Sequence, residues 1–250
     1  MEPILQSALP QAPWMEERTR RLPGVVPLAY ADWLQVDDAY GAQLAYKAQL
    51  LRDRRETVLQ MRADALPAAQ ELLELALAHA PEGIADAPID RDAPLETLSR
   101  LFQEDFVILQ KQGDRHILTA ALLCFPASWS LAEKFGKPLT AIHDPVPEYD
   151  AAIARSVERM FTVLRPEQPL MRMNALVYAD PDLHHPQRGS DIKRAAGHRG
   201  FIRSERQCMV RLPTTGAAMF SIHTYLVREA DLTPAQADSL AAHPIIHEGF

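Results

Sequence analysis

Three segments of the sequence carry side chains whose types and spacing could do chemistry, and the first surrounds His143. Pro145 and Pro147 hold the backbone after this histidine extended, and Tyr149 follows them. A rigidly presented histidine suits a metal or a haem iron, because ligation needs a preset ring orientation. The alternative is a loop histidine that bonds to the backbone and shapes the turn.

The second segment is an apolar run that contains Arg172 and ends at Asn174, with methionines on both sides of the arginine. The Arg172 side chain could lie on the solvent face of a strand, where arginine is common. If it is buried instead, it must find a carboxylate or another anion. The sequence leaves both interpretations open.

The third segment, residues 201–211, mixes charged residues into a run that leads into a strand. Strand alternation would place Arg203, Glu205 and Gln207 on one face and Arg206 on the other. The simplest hypothesis is an edge strand whose polar side chains face solvent. The functional hypothesis pairs Glu205 with Arg172 inside a pocket, where the carboxylate could handle protons or hold a cationic amine.

The remaining histidines carry less weight, with one exception. His184 and His185 precede a proline in a polar loop, and we interpret them, like His198, as flexible loop residues. The spacing of a zinc site is absent from the sequence. His223 lies in a strand-like run and is the reserve candidate for an iron ligand.

The elements around these segments predict an α+β fold with one mostly antiparallel sheet. Apolar periodicity predicts helices over residues 39–62, 67–80, 95–102, 148–164 and 234–242. Strand patterns predict five strands, over residues 106–110, 116–123, 170–177, 208–212 and 217–227. Turn residues at 112–114 and 213–216 predict that the first two strands and the last two strands form β-hairpins. Residues 1–38 are rich in proline and predict an extended arm on the surface, and residues 39–250 predict a single domain.

Composition excludes several classes of protein. The net charge of −7 argues against a nucleic-acid partner, since such proteins usually present a basic face. Two cysteines cannot ligate an iron–sulfur cluster, and their apolar surroundings predict buried free thiols. Gly-rich phosphate loops are absent, so we expect neither FMN nor an iron–sulfur cluster in this chain. The sequence has no membrane-spanning run and no basic start of a signal peptide, which predicts a cytoplasmic protein.

Several short motifs, taken in order, resemble a known family. They are Asp32-Trp33-Leu34-Gln35, Glu104-Asp105-Phe106, Cys124-Phe125-Pro126, Ile142-His143-Asp144-Pro145-Val146-Pro147, Arg172-Met173-Asn174, Ser204-Glu205-Arg206-Gln207 and Arg211-Leu212-Pro213. Over residues 33–225 the chain resembles the haem-dependent oxidative N-demethylase α-subunit family, which is related to the large subunit of dimethylamine monooxygenase.

The resemblance implies a PAS-like five-stranded sheet with flanking helices, an N-terminal helical extension, and haem b between sheet and helices. It implies O₂ activation at the haem iron and oxidation of an N-methyl group to release formaldehyde. By similarity we expect His143 as the axial ligand and a catalytic salt bridge between Arg172 and Glu205. The residues expected to contact the cofactor are His143, Tyr149, Asn174, Arg206 and His223.

Two positions depart from the family pattern. Ala175 stands where the family often has tryptophan, and we expect this to enlarge the substrate pocket. His223 stands where the family often has arginine, which could remove a contact to a haem propionate unless His223 replaces it.

Three functional hypotheses follow from these residues. The first is a haem-dependent monooxygenase that demethylates a small methylated amine with O₂, and it needs a separate flavin or iron–sulfur reductase as partner. The second is a haem-binding PAS-like sensor or non-catalytic haem protein. In the third, the domain binds no haem and His143 is structural.

Overall fold

The computed structural model of the chain describes residues 2–20, 24–142, 151–186 and 200–245. The helices of these ranges are α1 Glu17–Arg20, α2 Tyr40–Val58, α3 Leu66–Ala78, α4 Pro94–Leu101, α5 Leu131–Lys134, α6 Leu139–Ile142, α7 Ala151–Val163 and α8 Pro234–Ala242. The strands are β1 Val26–Pro27, β2 Leu59–Met61, β3 Asp105–Gln112, β4 Arg115–Leu122, β5 Leu170–Tyr178, β6 Phe201–Arg211 and β7 Ala218–Arg228.

The strands form one antiparallel sheet in the order β1-β5-β6-β7-β3-β4-β2, which confirms the predicted mixture of helices with an antiparallel sheet. Within the described residues the sheet has seven strands rather than the predicted five. The two additional strands, β1 and β2, have two and three residues and lie at the edges. Such short segments are below the length at which alternation is visible in a sequence.

Both predicted hairpins are present, and each turn uses a glycine with positive φ. Gly113 follows β3 with φ of 65°, and Gly216 precedes β7 with φ of 68°. Left-handed backbone of this kind is available to glycine at little steric cost. The turn residues therefore fixed the register of the two hairpins as the sequence indicated.

The strand β6 differs most from its prediction. It begins at Phe201, seven residues before the predicted start at Cys208, and it pairs with β5 and β7 over its length. All its residues except the two terminal ones are buried. The hypothesis of an edge strand with its polar side chains in solvent is therefore wrong, because β6 lies inside the sheet with both faces covered.

The strand register assigns the polar side chains of β5, β6 and β7 to two opposite faces. Arg172 lies opposite Gln207 and Asn174 opposite Glu205, and directly paired residues share a face. We call this side the site face. The other side, which carries Met173, is called the N-terminal face.

The site face is covered by helices that precede β5. Apolar side chains of α5, α6 and α7 pack there against residues of β3, β4, β6 and β7. This apolar cluster includes Leu131, Leu139, Phe161, Leu164, Met209 and Ile222.

The N-terminal segment covers the opposite face. Trp14, Trp33 and Leu34 belong to the apolar core and are at most 4% exposed. The Gln6 backbone N–H donates to the Leu226 carbonyl at 3.0 Å, so this segment hydrogen-bonds to the last strand. The expectation that residues 1–38 lie on the surface is therefore wrong for the part that the structure describes, because two tryptophans gain more from burial than from solvent.

Two smaller expectations have clear outcomes. Cys124 and Cys208 are buried free thiols, as predicted, and burial raises the pKa of the Cys208 thiol to about 12. Among the described helices, none combines the length and apolar character that crossing a membrane requires.

Candidate functional site

The centre of the site face is the Glu205 carboxylate, which is almost fully buried. Its Oε1 accepts hydrogen bonds from Nε and Nη2 of Arg203 at 3.2 and 3.1 Å. Its Oε2 accepts from Asn174 Nδ2 at 3.2 Å and from Gln207 Nε2 at 2.9 Å. Glu205 and its three partners share this face because side chains alternate along β5 and β6, so that every second one points to it.

Asn174 makes two hydrogen bonds to Glu205, one to its side chain and one to its backbone. Besides donating to the carboxylate, its Oδ1 accepts the backbone N–H of Glu205 at 3.1 Å. Asn174 was expected to contact a cofactor, and the structure places both polar atoms of its amide on Glu205. As placed, it positions the carboxylate.

Arg203 is the partner of Glu205, and sequence analysis gave it no role. Its guanidinium is 1% exposed, donates to the Leu183 carbonyl at 3.0 Å, and lies 5.7 Å from the centre of the Tyr178 ring. It also donates to the carbonyl of Phe125. The sequence contains a signal for this pairing, because Arg203 and Glu205 are two residues apart on one strand and therefore share a face.

Arg172 lies on the same face but does not make the expected salt bridge. Among the described residues no carboxylate is within ion-pair distance of its guanidinium, and its Nε is buried without a hydrogen-bond partner. Burial lowers the pKa of Arg172, and the nearby charge of Glu205 opposes that shift. The expected pair of Arg172 with Glu205 is corrected to Arg203 with Glu205, because Arg203 occupies Oε1.

His184 and His185 are not the flexible loop residues that sequence analysis suggested. They are 6% and 5% exposed, and His184 Nδ1 donates to the Cys124 carbonyl at 2.8 Å. The ring of His185 packs 5.0 Å from the ring of Tyr178, with its Nε2 buried and without a partner. Burial lowers the pKa of His185, and the charge of Arg203 lowers it further, so both favour the neutral imidazole.

A second buried histidine on the site face also has an available nitrogen. His116 is fully buried beside Phe161 of α7, and its Nδ1 contacts the Glu158 carboxylate. Its Nε2 has no partner. A carboxylate on one ring nitrogen with the other nitrogen unoccupied is the arrangement that metal-ligating histidines commonly have. His116 and His185 are therefore the described residues of this face that could ligate an iron.

Arg206 and His223 lie on the N-terminal face, away from Glu205. They are cross-strand partners, and the Arg206 guanidinium donates to the backbone carbonyls of Trp33 and Asp32. His223 contacts Glu104 through Nδ1 at 3.1 Å and Asp37 through Nε2 at 3.0 Å. Both ring nitrogens are occupied, so in this arrangement His223 has no free nitrogen for an iron.

The contacts between His223 and Asp37 shift the pKa of each toward its charged form. Burial alone would lower the pKa of His223, but hydrogen bonds to Asp37 and Glu104 and the charges of both outweigh it and hold that pKa above 6.5. Burial likewise acts to raise the pKa of Asp37, and the contacts with His223, Gln103 and Gln6 hold it below its ordinary value. The cluster is a histidine held between two acidic side chains under the N-terminal segment, and its contacts favour the charged form of His223.

Both departures from the family pattern lie on this N-terminal face. Ala175 pairs with Ser204 and packs against the apolar core of that side. Because it is on the opposite side of β5 from Arg172 and Asn174, it does not enlarge the space beside Glu205. The expectation of a larger substrate pocket through Ala175 is corrected accordingly.

Two expected cofactor residues, His143 and Tyr149, lie outside the described residues. Within the described ranges there is no group of three or more histidine, cysteine, aspartate or glutamate side chains that could hold a metal ion.

The chain was compared with models of known protein families. Residues 24–84 and 82–245 match the family described as haem-dependent oxidative N-demethylase, alpha subunit-like. The match covers the N-terminal segment from residue 24 onward and the whole sheet.

Proposed function

Because the chain belongs to the haem-dependent oxidative N-demethylase, alpha subunit-like family, we propose that it binds haem b and demethylates a small methylated amine. The observation that carries this proposal is the buried Glu205 carboxylate of the site face, held by Arg203, Asn174 and Gln207. A carboxylate fixed in this way is suited to receive an ammonium group and to exchange protons.

The donor set of the site face fits a haem. On the site face, the apolar cluster between α5–α7 and the sheet lies next to the polar side chains around Glu205. A haem has the matching division, with an apolar body and an anionic edge. The Nε of Arg172 and the Nε2 atoms of His116 and His185 are buried without partners. Such groups are costly to bury unless something binds them. His143 remains our proposed axial ligand with Tyr149 near the cofactor, and His116 and His185 are the alternatives among the described residues.

The order of the five long strands supports a PAS-like fold. Numbered along the chain, β3, β4, β5, β6 and β7 lie in the order 2-1-5-4-3 across the sheet. The helices α5, α6 and α7 come between the second and third of them and cover the site face. This is the arrangement in which PAS-like folds hold a ligand between sheet and helices.

The chemistry that haem supplies when bound is the activation of O₂ for oxidation of the N-methyl group. Overall, the methyl carbon gains an oxygen atom and leaves as formaldehyde, the nitrogen keeps a hydrogen, and the second oxygen atom becomes water. The balance consumes one O₂, two electrons and two protons. The electrons come from a separate reductase with a flavin or iron–sulfur centre, in the cytoplasm.

Glu205 binds the amine by exchanging one hydrogen-bond partner. A carboxylate has about four acceptor positions, and those of Glu205 are filled by Arg203, Asn174 and Gln207. The two amides are neutral donors, whereas a charge-assisted bond from an ammonium is roughly twice as strong. The amine therefore displaces an amide from Oε2, while Arg203 holds the carboxylate in place through Oε1.

A second candidate, a haem-binding sensor without turnover, is favoured by the complete set of partners on Glu205. The two candidates differ in what happens to an amine. The haem-loaded protein is mixed with dimethylamine or trimethylamine in aerated buffer that contains ascorbate and a redox mediator, because each turnover takes two electrons and ferrous haem holds only one. We expect formaldehyde in excess of the haem present and in excess of a control without protein, and a Soret band without formaldehyde from either amine would support the sensor.

The role of Glu205 is tested by Glu205→Gln. This variant keeps the size of the side chain and removes its charge, so it should bind haem and lose formaldehyde release by about 10²-fold or more. The control is Glu229→Gln, an exposed position after β7. Full activity of Glu205→Gln would contradict the proposed role.

A further inference from the structure

The acceptor positions of the Glu205 carboxylate differ in how firmly they are occupied. Oε1 accepts two hydrogen bonds from the Arg203 guanidinium, at 3.2 and 3.1 Å. Oε2 accepts one from Asn174 Nδ2 at 3.2 Å and one from Gln207 Nε2 at 2.9 Å. An amine that binds Glu205 must replace one of these donors, because a carboxylate has about four acceptor positions.

Arg203 and Asn174 are each held by more than one hydrogen bond. Both bonds from Arg203 to Oε1 are charge-assisted, and its guanidinium also donates to the Leu183 carbonyl at 3.0 Å. The side-chain oxygen of Asn174 accepts the backbone N–H of Glu205 at 3.1 Å, so turning this amide away from Oε2 also removes the partner of a backbone donor. Displacing either residue therefore breaks at least two hydrogen bonds.

Gln207 is held more weakly than these two residues. Among the residues that the structure describes, its side chain makes one hydrogen bond, to Glu205 Oε2. A buried glutamine has lost considerable rotamer freedom, and release of its side chain restores part of that entropy. Gln207 is 8% exposed, so while it is in place it keeps this acceptor position of Glu205 satisfied inside the sheet.

We propose that Gln207 is the displaceable partner of Glu205: its amide holds Oε2 while no amine is bound, and it leaves when a methylated ammonium donates to that oxygen. This role rests on the proposed demethylase function, and it makes Gln207 a positioning residue that acts through Glu205. The same hydrogen bond that stabilises the carboxylate without substrate therefore competes with the substrate.

The loss of this amide has two effects of opposite sign. Gln207→Met keeps the length of the side chain and removes its donor, which leaves one acceptor position of a buried carboxylate open. Urea unfolding without amine should therefore show a less stable protein. Dimethylammonium no longer competes with the amide, so its dissociation constant should fall by about 10-fold, the value of one hydrogen bond. A residue that only supports the fold would lower stability without tightening amine binding.

Calorimetric titration of the haem-loaded ferric protein, without reductant, measures the binding of dimethylammonium and of tetramethylammonium. Tetramethylammonium has the same charge but no N–H, so it does not replace the amide as a donor. Gln207→Met should tighten the binding of dimethylammonium alone, and Gln207→Ala, measured in parallel, removes the same donor without the bulk of methionine. Asn174→Ala should tighten neither cation, because it loosens Glu205 itself. Gln112→Met, at the exposed end of β3, is the matched control for loss of a glutamine.

Tighter dimethylammonium binding in either Gln207 variant, with tetramethylammonium unchanged, supports the proposal. Unchanged or weaker binding in both variants, or equal tightening of the two cations, overturns it, and formaldehyde release by wild type shows in that case that the demethylase function stands. Tightening in Asn174→Ala instead would identify Asn174 as the displaced amide and would also overturn the proposal. If wild type neither binds dimethylammonium nor releases formaldehyde, the proposed function and the role of Gln207 are both overturned.

Discussion

The two faces of the central sheet use buried charges in opposite ways, although the same strands supply them. On the N-terminal face, His223 lies between Asp37 and Glu104, and Arg206 is bound by backbone carbonyls, while one carboxyl oxygen of Glu104 is buried without a hydrogen-bond partner in the part of the chain that the structure describes. On the site face, Arg203 and Glu205 satisfy each other, but Arg172 has no partner among the described residues.

This difference distinguishes charged side chains that stabilise the fold from charged side chains that we expect to bind a ligand. A buried charge with partners costs stability when one partner is removed, since the others remain buried. A buried charge without partners costs stability while it is present, and natural proteins keep such groups where binding compensates. We therefore expect the N-terminal face to fasten the segment of residues 2–20 and 24–38, and the site face is where we propose that the cofactor binds.

The largest expected effect is the loss of stability on removing the imidazolium of the N-terminal face. His223→Leu leaves Asp37 and Glu104 buried without their common partner. We expect the free energy of unfolding to fall by about 3–5 kcal/mol, the usual cost of breaking a buried ion pair. Urea unfolding measures this loss of stability. The control is His243→Gln, at an exposed position, which should change the free energy of unfolding by less than about 0.5 kcal/mol. A small loss in His223→Leu would show that the cluster does not fasten this face.

The pH dependence tests the same cluster through its charge. The pKa of His223 is raised in the folded protein, so its contribution to stability is complete below pH 6.5 and falls as pH rises through the folded value. Asp37 has a lowered pKa, and its contribution is lost as pH falls below 3.8 toward the folded value. Urea midpoints measured upward from pH 6 should fall more in wild type than in His223→Gln. Identical profiles in the two proteins would exclude His223 as the titrating group.

A smaller effect is expected at the hydrogen bond that anchors Trp33 to the N-terminal face. The Trp33 indole Nε1 donates to Ser221 Oγ at 3.0 Å, and both side chains are buried. Ser221→Ala leaves the N–H without its partner and should cost about 1–3 kcal/mol in urea unfolding. The partly exposed serine Ser239 of α8 serves as control in Ser239→Ala. Equal stability of the Ser221 variant and wild type would contradict the anchoring role.

The smallest expected effect has the opposite sign and lies on the site face. Arg172→Met removes a partly buried charge whose Nε has no hydrogen-bond partner among the described residues, so we expect the haem-free protein to become more stable by up to about 1 kcal/mol. The same urea series measures it. Destabilisation comparable with that of His223→Leu would show that Arg172 is fully satisfied within the protein and would remove the contrast between the faces.

The sequence predicted the hairpins and helices well because their signals are local. Turn glycines and alternating apolar residues define β3, β4 and β7 without reference to the rest of the chain. The charged run of β6 was misinterpreted because alternation shows which residues share a face but not whether that face is covered. Burial of β6 depends on residues far away, such as Trp33 on one side and Phe161 on the other.

The site was predicted in part for the same reason. Arg172 was singled out as a charge within an apolar strand and Glu205 as an acidic residue within a charged run, and the structure places both on one face of the sheet. The partner of Glu205 was missed because Arg203 seemed to belong to a solvent-facing set. His185 was missed because the carbonyls and rings that bury it come from β5 and from residues 124–128. Contacts between distant segments carry no periodic signal in a single sequence.

The central claim is that haem binds on the site face and not on the N-terminal face. It is tested most directly by Soret titration of Arg172→Met and His223→Gln, each confirmed as folded by far-UV circular dichroism. We predict that Arg172→Met binds haem about 10- to 100-fold more weakly than wild type, while His223→Gln binds it with wild-type affinity and spectrum. Loss or alteration of the Soret band in His223→Gln, with normal binding by Arg172→Met, would contradict this account.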